Sequence, residues 1–491
     1  MCEYITEWPP PDSSDSAEVD LVADPTCQDQ AWNPYLEDMV RLKDMTGPDS
    51  ANKKSKLDWD DAIPDNARLS LAKWARQNQG LASKSDPSTH VKTRLNRLKK
   101  THSAVQFLAQ QILTILANGN CHRSKATHFM IASYFHELGW YDSALKAIQL
   151  ASAGTWKKPL GDLDRNEFGM LVENTSDEER EVLWWHEKLR LQCQMRAKAR
   201  DRLDVKVTAQ RQVARVDGKD LSVATFRQDF VRAQKPVIIT RTLSRCVKES
   251  WTWDLIRTVA GQKEVVLKRW EKDSLEWARL EPSVTSTVDN FITGIQQRDE
   301  KVMSLYLFDW SLPLFCPELN RLFEMPEYFR HDYLKMTPDH ALYRQSWPSL
   351  FIAPKGVRGG LHIDAFASNF WMMLLQGRKK WTFFDPEVVP HLKPCYDESF
   401  DPVFDQDMED SAKLTALGAF EIILEPGEIL FVPRGSPHQV DNLEDSVAVS
   451  GNFVDDSNFE ETIQHLKING LLDPRALDLL NELSTVHSKV K

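Results

Sequence analysis

The sequence predicts an α+β protein in which a helical N-terminal part precedes a β-rich part folded as a sandwich or jelly roll. Three observations carry this. Apolar residues recur at helical spacing between about residues 57 and 202. From about 205 to 455 short apolar runs alternate with Gly/Pro turns, the rhythm of a closed or stacked antiparallel sheet. Helical spacing then returns over 458–491. A chain of 491 residues exceeds the size at which one hydrophobic core stops growing, so two or three units are expected.

Taken in order, residues 1–55 are acidic, poor in aliphatics and rich in Asp, Ser, Pro and Lys, and are expected to be disordered. A helical domain is expected over 56–204. Residues 103–116 (SAVQFLAQQILTIL) and 125–137 carry clear helical periodicity. The stretch 132–151, ASYFHELGWYDSALKAIQLA, resembles one tetratricopeptide helix pair. Only one such unit is visible, so a plain helical hairpin is an equally good reading. The β-rich domain is expected over 205–457. Val205, Val207, Val213 and Val216 suggest strands, and 237–240 (VIIT) a buried one. Further strands are read at 302–308, 349–353, 370–375, 380–384, 420–424, 429–432 and 446–451, with helices at 253–259 and 288–297. A C-terminal helical segment, 458–491, is expected to cap the barrel; a homodimer surface is the alternative.

Bulk properties narrow the function. Hydrophobic content of 42% and charged content of 27% are those of an ordinary globular protein. No apolar run is long enough to span a bilayer, and the N-terminus lacks the basic and apolar regions of a secretory signal. Seven dispersed cysteines, at 2, 27, 121, 193, 246, 316 and 395, form no CxxC pair. Reduced thiols in nucleus or cytoplasm are therefore expected, with neither a disulfide framework nor a zinc knuckle. A net charge of −11 disfavours coating of nucleic acid, and the basic stretches 92–100 and 190–202 read first as solvated helix faces.

The chemistry concentrates in two segments. Residues 359–386 read GGLHIDAFASNFWMMLLQGRKKWTFFDP, and 426–438 read PGEILFVPRGSPH. Alternate residues of an extended chain point to one side, so His362 and Asp364 can face a barrel interior together. A Gly-Gly turn is expected just before them. His438, at the end of a distant strand, completes two imidazoles and one carboxylate. Such a set leaves three adjacent positions open on a metal, the arrangement of non-haem iron(II) oxygenases. An HxD pair alone is weak, because the chain has 13 histidines; the placement of both ligand loops at strand ends strengthens it. Strand alternation also separates Lys379 from Arg378 and Lys380, and puts it on the face of Trp381 and Phe383.

Between His362 and Trp381 the chain fits H-I-D-x-x-x-[ST]-x-x-W-x-x-L-x-Q-G-x-K-x-W without a gap. With LYLFD at 305–309 and the PRGSPH loop, residues 220–455 resemble a JmjC domain, most closely the jumonji-type lysyl-hydroxylase/arginine-demethylase subfamily. That resemblance implies a cupin-like double-stranded β-helix (jelly roll) with His362, Asp364 and His438 as iron ligands. It implies Fe(II) as metal, 2-oxoglutarate and dioxygen as co-substrates, and Lys379 as partner of the distal 2-oxoglutarate carboxylate. Tyr306 matches a position whose phenol reaches the same carboxylate, a buried core tyrosine being the alternative. Ser450 and Asn452 fall where the family places polar pocket groups. The chain departs from the pattern at Gly359, where the family often has threonine, and at Met372, where the subfamily has asparagine.

The implied activity is hydroxylation of a protein side chain, with release of succinate and carbon dioxide. N-methyl-lysine or N-methyl-arginine demethylation, as on histones, is the second enzymatic reading, and hydroxylation of a nucleic-acid base the third. A non-enzymatic alternative is an interaction protein with a degenerate oxygenase core, its helical N-terminal domain binding a partner protein. The acidic stretches 397–410 and 441–445 fit a basic peptide substrate as well as they fit a solvated insert.

Overall fold

The computed structural model describes residues 125–137, 140–151, 160–201, 213–272, 274, 276–392, 394–395, 402–404 and 417–490. The acidic segment 1–55, the basic stretch 92–100, the helix over 103–116, Val205, Val207 and, apart from 402–404, the acidic stretch 397–410 lie outside the described residues. The chain divides into two compact units, Met1–Trp156 and Lys157–Lys491.

In the first unit, helices α1 (Lys125–Glu137) and α2 (Tyr141–Ala151) form a hairpin. On α2 the buried side chains Tyr141, Ala144, Ala147, Ile148 and Ala151 follow helical spacing, and the alanines admit close approach of α1. Ile131, Ala132 and Phe135 of α1 are buried too, and Trp140 stacks on Phe135 at the turn.

The second unit begins with α3 (Arg165–Asn174) and α4 (Asp177–Asp201). Asp164 caps α3 by accepting from the Asn166 and Glu167 amides at 2.8 Å, while Glu167 accepts from the Asp164 amide at 2.9 Å, a reciprocal capping box. The helical domain expected over 56–204 is thus divided, and 160–201 group with the β-rich part. Apolar packing explains this: Met195 of α4 lies on a cluster of Leu361, Phe384, Val388, Val389, Leu392 and Phe404. Lys467 also donates from the C-terminal region to the Leu163 carbonyl at 2.6 Å.

The strands are β1 (Ala214–Asp217), β2 (Val237–Thr240), β3 (Glu264–Trp270), β4 (Leu280–Thr287), β5 (Leu305–Ser311), β6 (Ser349–Ala353), β7 (Arg358–His362), β8 (Asn369–Gln376), β9 (Lys379–Phe383), β10 (Pro394–Cys395), β11 (Val403–Phe404), β12 (Phe420–Leu424), β13 (Ile429–Val432), β14 (His438–Asn442) and β15 (Ser446–Phe453). One sheet runs β1-β2-β13-β8-β15-β6-β5-β3-β4 and a second runs β12-β9-β14-β7, with β10 and β11 paired apart. Apart from the parallel β1–β2 pair, the two sheets are antiparallel, and they enclose an apolar interior.

Strand β8 shows why its sequence is one apolar run. Phe370, Met372 and Leu374 face the interior with Trp381 and Phe383 of β9. Trp371 and Met373 face the other way, into a core with Phe226, Phe291 and Phe329, where Trp371 stacks on Phe329. A strand covered on both sides cannot alternate polar and apolar. At the β8–β9 turn Gly377 has φ +74°, and a Cβ there would meet the Asp445 carbonyl oxygen at 2.2 Å, so glycine is required twice over.

Two strand readings shift. The strand expected at 302–308 runs Leu305–Ser311, because Val302 and Met303 donate to the Asp299 carbonyl and prolong the turn. Gly359 and Gly360, read as a turn, lie inside β7. There a Cβ on Gly360 would meet the Ala278 carbonyl oxygen at 2.8 Å and the Trp270 indole nitrogen at 3.1 Å. The glycine therefore serves close packing, not reversal of the chain.

At the C-terminus α5 (Phe459–Gly470) and α6 (Pro474–Val490) pack on each other, and α5 lies against the turn Ala365–Ala367. This is the capping arrangement. Among the described residues no helix is long and apolar enough to cross a membrane.

Candidate metal and co-substrate site

His362 closes β7 and His438 opens β14, and these two strands pair antiparallel with the two histidines directly opposite each other. Their ring centroids are 4.3 Å apart. Asp364 follows His362 at the entrance to the short turn Ala365–Ala367, in which Phe366 (φ 43°) and Ala367 (φ 55°) are left-handed. Such backbone persists in non-glycine residues where surrounding structure holds it. One ligand atom from each of His362, Asp364 and His438 lies within 4.8 Å of the others, and all three side chains are buried.

Both imidazoles are prepared for a metal by their own strands. His362 Nδ1 is 2.7 Å from the Gly360 carbonyl, and His438 Nδ1 is 3.0 Å from the Ser436 carbonyl. A carbonyl only accepts, so each Nδ1 carries the proton and each Nε2 keeps its lone pair. Burial pushes His362 down to about 3, helped by the neighbouring His438 and opposed by Asp364. Burial likewise pushes His438 down to about 4. Near neutral pH both imidazoles are neutral, beside the carboxyl group of Asp364. A divalent cation fits this donor set, because ligation requires neutral histidine and an ionised acid.

Further along the same interior the polarity reverses. Lys379 begins β9 on the face of Trp381 and Phe383, and Trp381 lies 5.4 Å from the His438 ring. Its side chain is fully buried. Nζ donates to Asn442 Oδ1 at 2.6 Å and to the Tyr306 hydroxyl at 3.1 Å. Both partners are neutral, and burial lowers Lys379 to about 7. Tyr306, from β5, is raised above its ordinary value by burial. Among the described residues the ammonium meets no carboxylate, so the cradle fits an anionic ligand.

Ser450 faces the interior beside Met372, and its hydroxyl is buried without a hydrogen-bond partner among the described residues. Asn452 does not reach Lys379; it donates to Ser368 Oγ at 2.8 Å, and Ser368 in turn donates to the Ala365 carbonyl at 2.9 Å. Asn452 thus supports the turn that follows Asp364. The register shift between β7 and β14 puts Gly359 opposite Val440, on the interior side, where a Cβ would meet nothing within 4 Å. Met372 likewise contributes to the interior wall.

Two contributors escaped the sequence reading. Asn442 accepts from Lys379 and from Ser446 Oγ while donating to the Val357 carbonyl at 2.7 Å. It shares the interior face with His438 and Val440, so alternation along β14 could have found it. Trp277 packs edge-on against the His362 ring at 4.6 Å and donates to the Ile363 carbonyl at 3.1 Å. Its short turn before β4 carries no periodic signal. The acids of 441–445 are largely neutralised: Asp441 pairs with Arg358, Glu444 with Arg378 and Asp445 with Arg298.

A barrel with a 2-His-1-carboxylate cluster at one end defines a cupin of the metal-binding kind, and residues 223–459 match the cupin-like domain family. This part of the chain is similar to cupin-like domains of the JmjC type. Arginine-specific demethylase JMJ22 from Arabidopsis thaliana is 29% identical over 290 residues, which cover 57% of this chain and 53% of that protein. 2-Oxoglutarate and iron-dependent oxygenase JMJD4 from Mus musculus is 34% identical over 161 residues, covering 31% of this chain and 37% of that protein. Bifunctional arginine demethylase and lysyl-hydroxylase psr-1 from Caenorhabditis elegans is 28% identical over 256 residues, covering 49% and 61% respectively. The chain therefore spans less than two thirds of each of these relatives.

Proposed function

We propose that this protein is an Fe(II)- and 2-oxoglutarate-dependent dioxygenase that hydroxylates a protein side chain and releases succinate and carbon dioxide. The observation that carries the reading is the pairing, within one barrel, of a buried cluster suited to a cation with a buried ammonium that has no acid partner among the described residues. A dicarboxylate bridging the two would satisfy both. The names of the relatives, which include an iron- and 2-oxoglutarate-dependent oxygenase, support the same reading.

In this reading His362, Asp364 and His438 hold the iron through Nε2, carboxylate and Nε2. Lys379, with Tyr306 and Asn442, receives the far carboxylate of 2-oxoglutarate, and the unpaired Ser450 hydroxyl offers a further donor. When bound, the metal supplies the activation of dioxygen that attacks an unreactive C–H bond. The apolar wall of Phe370, Met372, Trp381 and Phe383 excludes water from that chemistry. No side chain need act as acid or base on the substrate; the residues bind, orient and shield. Among the described residues Cys246 and Cys316 form no disulfide, which supports a reducing compartment, nucleus or cytoplasm.

Purified protein given Fe(II) and 2-oxoglutarate should release succinate, and His362→Ala should abolish that release. Equal release by both proteins would sink the enzymatic reading. Demethylation of N-methyl-lysine or N-methyl-arginine is the second reading, favoured by the names of two of the relatives above. Mass spectrometry of peptide products separates the two: one oxygen gained for hydroxylation, one methylene lost for demethylation.

A further inference from the structure

Both turns that bear metal-site residues are tied to the start of one C-terminal helix, α5. The turn before His438 is held on two sides. Arg434 makes a bidentate pair with Glu461 of α5, at 2.6 and 2.9 Å, and its guanidinium is largely shielded. Its backbone amide donates to Asn369 Oδ1 at 3.1 Å. The turn after Asp364 is held by Asn458, which donates to the Ala367 carbonyl at 3.0 Å and to the Phe453 carbonyl at 3.2 Å.

Asn369 joins the two restraints. Fully buried at the start of β8, it accepts from Arg434 and donates to Ser457 Oγ at 3.3 Å. Ser457 is itself fixed by Asp455, whose carboxylate accepts from the Ser457 amide at 2.8 Å and from its hydroxyl at 2.5 Å. The result is one connected network of buried or shielded polar groups: Asp455, Ser457 and Asn458 at the head of α5, Asn369 at its centre, and the two turns at its rim.

We infer that the head of α5 is a brace for the metal site, and that Asn458 and Glu461 are positioning residues that fix Asp364 relative to His438. The inference rests on the metal-centre reading above. Asp364 and His438 belong to different sheet connections, and the only direct strand register in the cluster is that between His362 and His438. Asp364 lies beyond the end of β7, so its place depends on what holds the turn behind it. Groups that orient ligands without touching the metal commonly change its affinity by about 10–100-fold when removed. The Arg434–Glu461 pair is partly exposed, so its loss should lie at the lower end, and loss of Asn458, which is buried, nearer the upper end.

The test uses the full chain and two probes, Mn(II) affinity by titration and the Co(II) absorption spectrum, with thermal unfolding alongside. Glu461→Gln keeps shape and removes the charge; Asn458→Ala removes the hydrogen bonds donated to the Ala367 carbonyl of the turn and the Phe453 carbonyl of β15, and the one accepted from the Asp455 amide. Each should weaken Mn(II) binding, by about 10-fold or less for Glu461→Gln and by more for Asn458→Ala, and should shift the Co(II) ligand-field bands. Glu461→Asp should recover part of the loss. Should Asn458→Ala fail to fold, Glu461→Gln decides alone. Unchanged Mn(II) affinity and Co(II) bands, with only a lower Tm, would make α5 a scaffold and overturn the inference. Wild type that binds no Mn(II), or binds it as His362→Ala does, would instead remove the metal-centre reading itself.

Discussion

The two ends of the barrel interior are built from opposite deficits. At one end His362, Asp364 and His438 gather lone pairs and one negative charge with the protons turned away onto backbone carbonyls. At the other, Lys379 presents a positive charge to oxygens that carry none. Each end alone is costly to bury, since an ion without a counter-ion loses hydration it does not recover. This interior therefore suits ligands of both signs at once, and replacement of Lys379 tests what that arrangement costs in stability.

That contrast can be broken most sharply at the cationic end. Lys379→Met removes the unpaired ammonium, so the ligand-free protein should unfold at a higher temperature, while affinity for 2-oxoglutarate should fall by roughly two orders of magnitude or more. Calorimetry with and without the co-substrate reads both. A lower Tm together with retained affinity would mean that Lys379 serves the fold and not the ligand.

A second test uses pH. Lys379 is lowered to about 7 in the ligand-free protein, whereas a bound carboxylate would hold its proton. The protonated form binds, so KM for 2-oxoglutarate should rise above pH 7, by up to about tenfold per unit, and should be flat below it. For stability the sign is the reverse. The unfolded lysine, near 10.4, binds more protons than the folded one, so this residue's contribution is lost as pH falls from about 10 to 7. Lys379→Arg, permanently charged, should remove the rise in KM if it still binds.

The smallest effect belongs to Tyr306→Phe. It deletes one hydrogen bond, worth about 0.5–1.5 kcal/mol, so KM should rise about 2- to 12-fold with kcat little changed. A large fall in kcat would indicate that the phenol also governs the metal end.

Legibility in the sequence followed the range of the interaction. His362 and Lys379 follow from alternation along their strands, and Asp364 from extended backbone carried two residues past β7; the interior face of β9 reads directly from Lys379, Trp381 and Phe383. Asn442 obeys the same rule and was within reach. The cupin-like architecture was legible because its strands are short and separated by Gly/Pro turns. Strands β3 and β4 were not read: Val266 is exposed and β4 is largely polar, so neither offers a clean apolar alternation. The grouping of α4 with the β-rich part is not legible in the sequence, because it rests on Met195 meeting residues some 170–210 positions later, and periodicity is blind to such distances. The brace on α5 was invisible for the same reason, since Glu461 is an ordinary acid in the first turn of a helix until Arg434 is placed beside it.

The two adjacent glycines of β7 end with opposite latitudes. Gly360 is pinned by the Ala278 carbonyl and the Trp270 indole, so even one methyl group would push that roof outward and disturb the carbonyl that orients His362. Gly359 looks into open space on the interior side, and a side chain there would occupy volume without displacing protein. One position is a keystone and its neighbour a dial: the reach of the chamber can be shortened at Gly359 while the metal end beside it keeps its geometry.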